Sequence, residues 1–416
     1  MRQVTTRVRA GYAMGSFVTG AFGTVPGLLL LPYLTDSLAV PAAVAGLLVL
    51  LPKAWDVVFN PVAGRISDRA GVRRPFLLGG GLAVAVLFAA LFAGGSAVYV
   101  AGVFLLCATA YAFFQVPYVA MLAEITEDYD ERTRLMAWRM AILALAILVS
   151  GAGAPAVRDL TSYPVMGASV GVLILIGTLV TYLGTSGVAA STRVTTAATP
   201  RELWAVVRES KPFRLLLAVF VVQAVGLGTM LAGVDYFARL VLGDSKYQTV
   251  LFVGFVGPAL LVMPLWQRVG RKHGKRIGLI AASLLFAVAV VGLGASRVLP
   301  VGVVIALMAF VGVGYAGMQV FPLAMLPDVI TAEERASGTS RAGLFSGVWT
   351  AGETFGLALG PGVYGLVLAA GGYEASSDGA VVQSSGAVLA ALVGFTAIPA
   401  VLAVIALPLL KREEPV

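Results

Sequence analysis

Five ionisable residues fall inside long apolar stretches of this chain: Lys53, Asp56, Arg139, Asp235 and Glu353. A charge held near the centre of an apolar layer costs about 2.5–3.5 kcal/mol, so each of the five must face a partner or a water-filled cavity. Lys53 and Asp56 are i and i+3 on one helix face and can pair with each other. Asp56 is the candidate for a charge that switches, because a buried carboxylate beside a cavity can take up a proton or bind a cation, and either event removes its charge. A permanent ion pair with Lys53 is the plainer alternative. Arg139 lies about a turn inside its stretch, where it can neutralise Asp56, donate to an oxygen of a ligand, or simply flank the stretch with positive charge. Glu353 lies about a dozen residues past Arg341, deep at 1.5 Å per residue. It can be a second proton site, a counter-charge for a cationic ligand, or a partner for Lys53 or Arg139. Asp235, near one end of its stretch, reads as interfacial.

A second group is polar without charge. Tyr111-Ala-Phe-Phe-Gln115-Val recurs as Tyr315-Ala-Gly-Met-Gln319-Val, 204 residues on, and Ala120-Met-Leu followed by Glu124 recurs at the same displacement as Ala324-Met-Leu followed by Asp328. One motif at equivalent places in two halves is the mark of a duplicated unit in parallel repeat. Tyr111, Gln115, Tyr315, Gln319, Trp349 and Thr350 can line a cavity for a polar solute through hydrogen bonds and ring stacking. For the aromatic residues the alternative is ordinary packing, and for the glutamines it is helix-to-helix hydrogen bonding.

The elements that carry these residues follow from composition. Of 416 residues, 59% are apolar and 12% charged, against roughly 25% charged in soluble domains, so most of the surface must face lipid. About 245 apolar residues at about 20 per crossing supply roughly twelve spans. Twelve apolar stretches are present, at about 11–35, 40–63, 75–96, 98–123, 136–156, 163–188, 214–240, 248–266, 277–296, 299–326, 342–370 and 385–410. Unbroken runs such as Leu28–Leu31 and Ile142–Val149 lack the alternation of a membrane barrel, so the fold class is all-α, and helices satisfy their own backbone in lipid. Of the 29 basic residues, 23 fall at the two termini and in the even-to-odd loops, while Arg158, Arg239, Lys246 and Arg297 lie on the other side. This is the positive-inside pattern for an even number of spans with both termini cytoplasmic, in the inner (plasma) membrane.

The same distribution accounts for the net charge of +8 without a nucleic-acid partner, since the charges are spread over short loops instead of one groove. One cysteine, Cys107, and one histidine, His273, leave no internal disulfide and no zinc-type cluster, so no metal and no cofactor is expected. No nucleophile, base and oxyanion arrangement of an enzyme stands out. The halves are expected at 1–189 and 214–416. Between them lies a cytoplasmic linker, 190–213, with Pro200 at a helix start and an amphipathic Arg201–Ser210 segment.

The loop after the second stretch reads Gly64-Arg65-Ile66-Ser67-Asp68-Arg69-Ala70-Gly71-Val72-Arg73-Arg74, with a degraded copy at Arg268–Arg276. It resembles the loop 2–3 signature of the major facilitator superfamily, which implies a cytoplasmic gate at Gly64, Asp68, Arg69, Gly71, Arg73 and Arg74. Further segments, Pro32–Asp36, Lys53–Pro61, Arg132–Arg139, Met325–Asp328 and Gly343–Gly347, resemble its glycoside-pentoside-hexuronide cation symporter branch, to which the melibiose permease belongs. The resemblance implies twelve transmembrane helices in two six-helix bundles and a monomeric, alternating-access carrier of a small molecule such as a sugar or glycoside, coupled to protons or sodium. In that family the second helix carries two acids four residues apart that coordinate sodium; here they are Asp56 and Asn60. Losing one carboxylate weakens a sodium site more than a proton site, which favours protons. The acids with which sugar-carrying relatives grip hydroxyls are missing from Gly11–Leu34 and, at Gln115, from the fourth helix. This keeps two alternatives open: an exporter of amphipathic drugs or lipids, and a non-transporting receptor or scaffold.

Overall fold

The structure, a computed structural model, describes residues 4–70, 72–126, 128–186, 200–337, 341–377 and 381–410. The described residues form seventeen α-helices and one short π-helical turn. Eleven helical stretches are long and apolar enough to cross a bilayer, and the bent pair Tyr247–Leu261 and Met263–His273 makes a twelfth when taken as one span. The fold is therefore the all-α, twelve-span architecture that the composition predicts.

The first unit comprises the described residues of Met1–Leu38 and Leu51–Ala197. It contains α1 (Thr6–Met14), α2 (Ser16–Asp36), most of α3 (Ala42–Ala70), α4 (Arg74–Leu91), α5 (Ala97–Ile125), α6 (Tyr129–Leu160) and α7 (Tyr163–Gly184). Ser96 and Asp128 cap α5 and α6 by accepting from the backbone N–H groups of Tyr99 and Glu131, which supplies partners to otherwise unpaired first-turn donors. Helix α2 packs on α6, and α4 packs on α5 and α7. The α1–α7 contact is made through Gly11 and Gly184, where a Cβ on Gly11 would lie 2.5 Å from the Gly184 Cα.

The second unit comprises the described residues of Ala39–Leu50 and Ala198–Val416. Its helices are α8 (Pro200–Glu209), α9 (Lys211–Tyr236), α10 (Tyr247–Leu261), α11 (Met263–His273), α12 (Lys275–Leu293), α13 (Val301–Ser337), α14 (Ala342–Ala370), α15 (Ser385–Phe395), α16 (Ala397–Ile405) and α17 (Leu407–Leu410). Helix α9 packs on α14, and α12 packs on α13 and α16. These pairings reproduce, span for span, those of α2 with α6 and of α4 with α5 and α7. The start of α3 belongs to this unit because Gly46 seats it on α14: a Cβ there would lie 2.8 Å from the Pro361 carbonyl oxygen. The amphipathic segment after Pro200 forms α8, with Val206 in the core beside Phe213, Phe345 and Trp349 and Trp204 exposed. Residues 187–199, which include the first ten of the expected linker, lie outside the described residues.

Candidate functional site

In the first unit, Asp56 and Asn60 lie one turn apart on α3. Asp56 is 7% exposed, and the Oδ1 atoms of both residues are buried without a hydrogen-bond partner. An orphaned buried acceptor costs about 1–3 kcal/mol, so two on adjacent turns are expensive unless a ligand meets them. Pro61 adds to the local supply of oxygen: it has no N–H to give to the carbonyl of Val57, which frees that group in the same turn. Among the described residues no ion pair within 4 Å joins Asp56 to Lys53. The Lys53 Nζ instead lies beside Gly27 of α2, within 3.7 Å of where a Cβ would stand. Lys53 and Asp56 are within electrostatic reach of each other without a direct ion pair.

Arg139 is carried ten residues into α6, because Asp128 starts that helix at Tyr129 rather than at the first apolar residue. The first turns of α6 are the charged lead-in 129–134, so Arg139 stands about one turn into the apolar stretch that begins near residue 136. The guanidinium stands over the Tyr118 ring at 5.2 Å, and its Nε is buried without a hydrogen-bond partner. Tyr111 stacks on Phe22 at 4.2 Å and lies within electrostatic reach of both Asp56 and Arg139. Gln115 is committed locally, its Oε1 accepting from the Thr19 hydroxyl at 2.7 Å. The structure therefore gathers Asp56, Asn60, Tyr111 and Arg139 in the first unit, and adds Thr19, which the sequence reading did not single out.

In the second unit a cavity of about 20 Å³ is lined by Gln223, Tyr315, Gln319 and Glu353 with apolar neighbours from α9, α13 and α14. Gln319 Nε2 donates to the Tyr315 hydroxyl at 2.7 Å and to Glu353 Oε1 at 3.4 Å. Gln223, also missed, donates through Nε2 to Ser283 at 3.0 Å, while its Oε1 is buried and unpartnered. The signal available for Gln223 was an amide in the middle of an apolar stretch. Trp349 and Thr350 do not join this cavity. Trp349 is 2% exposed in an apolar cluster, stacked on Phe220 at 4.4 Å. One residue on, Thr350 turns outward and bonds back to the Ser346 carbonyl. Asp235, at the end of α9, has a side chain that is 1% exposed and accepts from Arg239 at 2.7 Å, a spacing of four that brings both onto one helix face.

The loop motif divides into parts. Gly64 faces Val116, with 3.4 Å left for a Cβ. Arg69 is exposed. Arg73 pairs with Glu124 at the end of α5, and Arg74 donates to the Tyr182 carbonyl at 2.9 Å while covering that ring. Gly71 and the side chain of Asp68 lie outside the described residues. The degraded copy places Lys275 at 2.5 Å from Asp328, the residue related to Glu124 by the repeat.

Residues 11–412 match the family described as MFS/sugar transport protein. An uncharacterized symporter of Synechocystis sp. is 22% identical, over 89% of this chain and 87% of its own length. The glucuronide carrier protein homolog of Escherichia coli is 26% identical, over 90% and 86%. The crystal structure of the nucleoside transporter NupG superposes with a TM-score of 0.74 at 13% identity, covering 98% of this chain and all of that one. It is a likeness of fold.

Proposed function

The chain belongs to the MFS/sugar transport protein family and is a secondary transporter, and from that premise we propose that it is a proton-coupled symporter of a small polar solute, a sugar or glycoside, with Asp56 as the coupling group. The observation that carries this reading is the pair of buried, unpartnered oxygens on Asp56 and Asn60, with Lys53 and Arg139 nearby and not in carboxylate ion pairs among the described residues. When Asp56 is ionised it balances one of these cations; when it takes up a proton the balance is lost, and the conformations that hold those cations apart or together exchange stability. One proton falling through about 100 mV supplies about 2.3 kcal/mol, enough for roughly 40-fold accumulation, so a single titrating acid suffices.

The substrate class draws on the glucuronide carrier homolog among the relatives and on Tyr111, whose ring and hydroxyl suit a polar ring compound. The positive-inside distribution supports a plasma-membrane location with both termini cytoplasmic, and each unit's own complement of polar residues supports a monomer as the working form. Uptake of a panel of glucuronides and glycosides into membrane vesicles tests the reading. Accumulation should follow an imposed pH step without sodium, and Asp56→Asn should abolish accumulation while exchange of solute persists. Uptake driven by a sodium gradient at fixed pH, with no response to the pH step, overturns it.

A further inference from the structure

The second unit contains a carboxyl whose surroundings fit one ionisation state and not the other. Glu353 lines the water-sized cavity between α9, α13 and α14. Its Oε1 receives a single long contact, from Gln319 at 3.4 Å. Across the same cavity Gln223, 5% exposed, offers an Oε1 that is buried and without a partner, its Nε2 being committed to Ser283. Among the described residues no lysine, arginine or histidine lines the cavity, and Tyr315 is the other titratable group there. An ionised carboxylate accepts only, so with Gln223 it would put two acceptors into one small space served by one distant donor. A neutral acid resolves both deficits: its O–H supplies the donor that Gln223 lacks, and its carbonyl oxygen keeps the Gln319 contact. A cavity of about 20 Å³ has room for a single water to relay that bond where the two groups do not touch.

We propose that Glu353 is a second proton-binding site, held by Gln223 as the acceptor for its O–H and by Gln319 as the donor to its carbonyl oxygen. The carrier then holds one exchangeable proton in each unit, at Asp56 and at Glu353. A hard cation in the same place would need about six oxygens, and one carboxylate beside one free amide oxygen falls short of that. This site does not depend on the role given to Asp56, since each unit builds its own.

Infrared spectroscopy of the purified protein between about pH 5 and about pH 9 tests the assignment without any solute, because a protonated carboxyl has a carbonyl stretch that carboxylates lack. Asp56→Asn should leave one such acid band, and Glu353→Gln should remove it. Gln223→Leu should keep the band but move it to the higher frequency of a less strongly hydrogen-bonded acid, with proton binding weakened about tenfold, one pH unit. That variant also decides the matter if Glu353→Gln does not fold. A spectrum in which Glu353→Gln removes no acid band across this range overturns the proposal. So does loss of the band on adding sodium chloride at fixed pH, which would make the site one for a cation. Failure of the Asp56 reading would appear separately, as pH-driven uptake that survives Asp56→Asn.

Discussion

At the scale of single residues, α3 carries a carboxylate and a carboxamide where the resembled symporters carry two carboxylates. The difference between proton and sodium use can therefore be put on one atom. Asn60 Oδ1 is buried and unpartnered one turn from Asp56 Oδ1, so Asn60→Asp adds negative charge where a cation would sit without filling new space. The variant should gain uptake driven by a sodium gradient at fixed pH, by about tenfold or more, since a second carboxylate is worth at least a pK unit of cation preference over the amide. Uptake assays with sodium replaced by choline measure it, and a variant indifferent to sodium would separate Asn60 from the ion path. Residue roles were unevenly legible in the sequence. Asp56, Asn60, Arg139 and Glu353 stood out because charge or amide in lipid demands a reason. Trp349 and Thr350 part company because a helix turns by 100° per residue: one enters the core against Phe220 and the other is exposed. Thr19 carried too little polarity to stand out and Gln223 only the signal of an amide in an apolar stretch; the importance of both comes from partners on other helices.

At the scale of elements, the spans were legible because apolar runs of sufficient length have one stable form in lipid, whereas their interruptions were not. The stretch 248–266 bends by 48° between α10 and α11, and 385–410 breaks at Thr396 and Ala406. Pro264, Pro399 and Pro408 at the new helix starts withhold the donors that a continuous helix would need. Close helix contacts were equally hidden, being properties of two chains of glycine brought together by the fold. One of the closest joins α9 to α14: a Cβ on Gly360 would stand 2.1 Å from the Gly228 carbonyl carbon and 2.4 Å from the Thr229 nitrogen, both backbone atoms. Neither can swing aside, so Gly360→Ala must separate the helices. The expected loss is about 1–3 kcal/mol of stability, the usual cost of overpacking, read as a lower unfolding temperature in detergent. Gly79→Ala, with open space at its Cβ, is the matched control and should leave the temperature unchanged or slightly raised, since alanine favours helix.

At the scale of the whole molecule, the duplication reaches from a sequence motif down to ion pairs. Each unit ties the loop after its second span to the end of its fourth: Arg73 to Glu124 in the first, Lys275 to Asp328 in the second. Each also has an ion pair at the start of its fifth span, to α1 in the first unit and to the end of α8 in the second. Arg9 pairs with Glu131 at 3.0 Å, and Glu209 pairs with Arg341 at 2.7 Å. The pairs are not equal in energy. Arg73 and Glu124 are 10% and 9% exposed, so water screens their attraction little and its loss costs about 1.5–3 kcal/mol. Lys275 and Asp328 are 40% and 58% exposed, where water and salt screen the pair to under about 1 kcal/mol. Glu124→Gln should therefore lower the unfolding temperature clearly, and Asp328→Asn by little, with the second effect vanishing in high salt and the first persisting. Equal losses from the two variants would mean that the two units share one cooperative unfolding transition limited by neither pair, and that burial does not rank them.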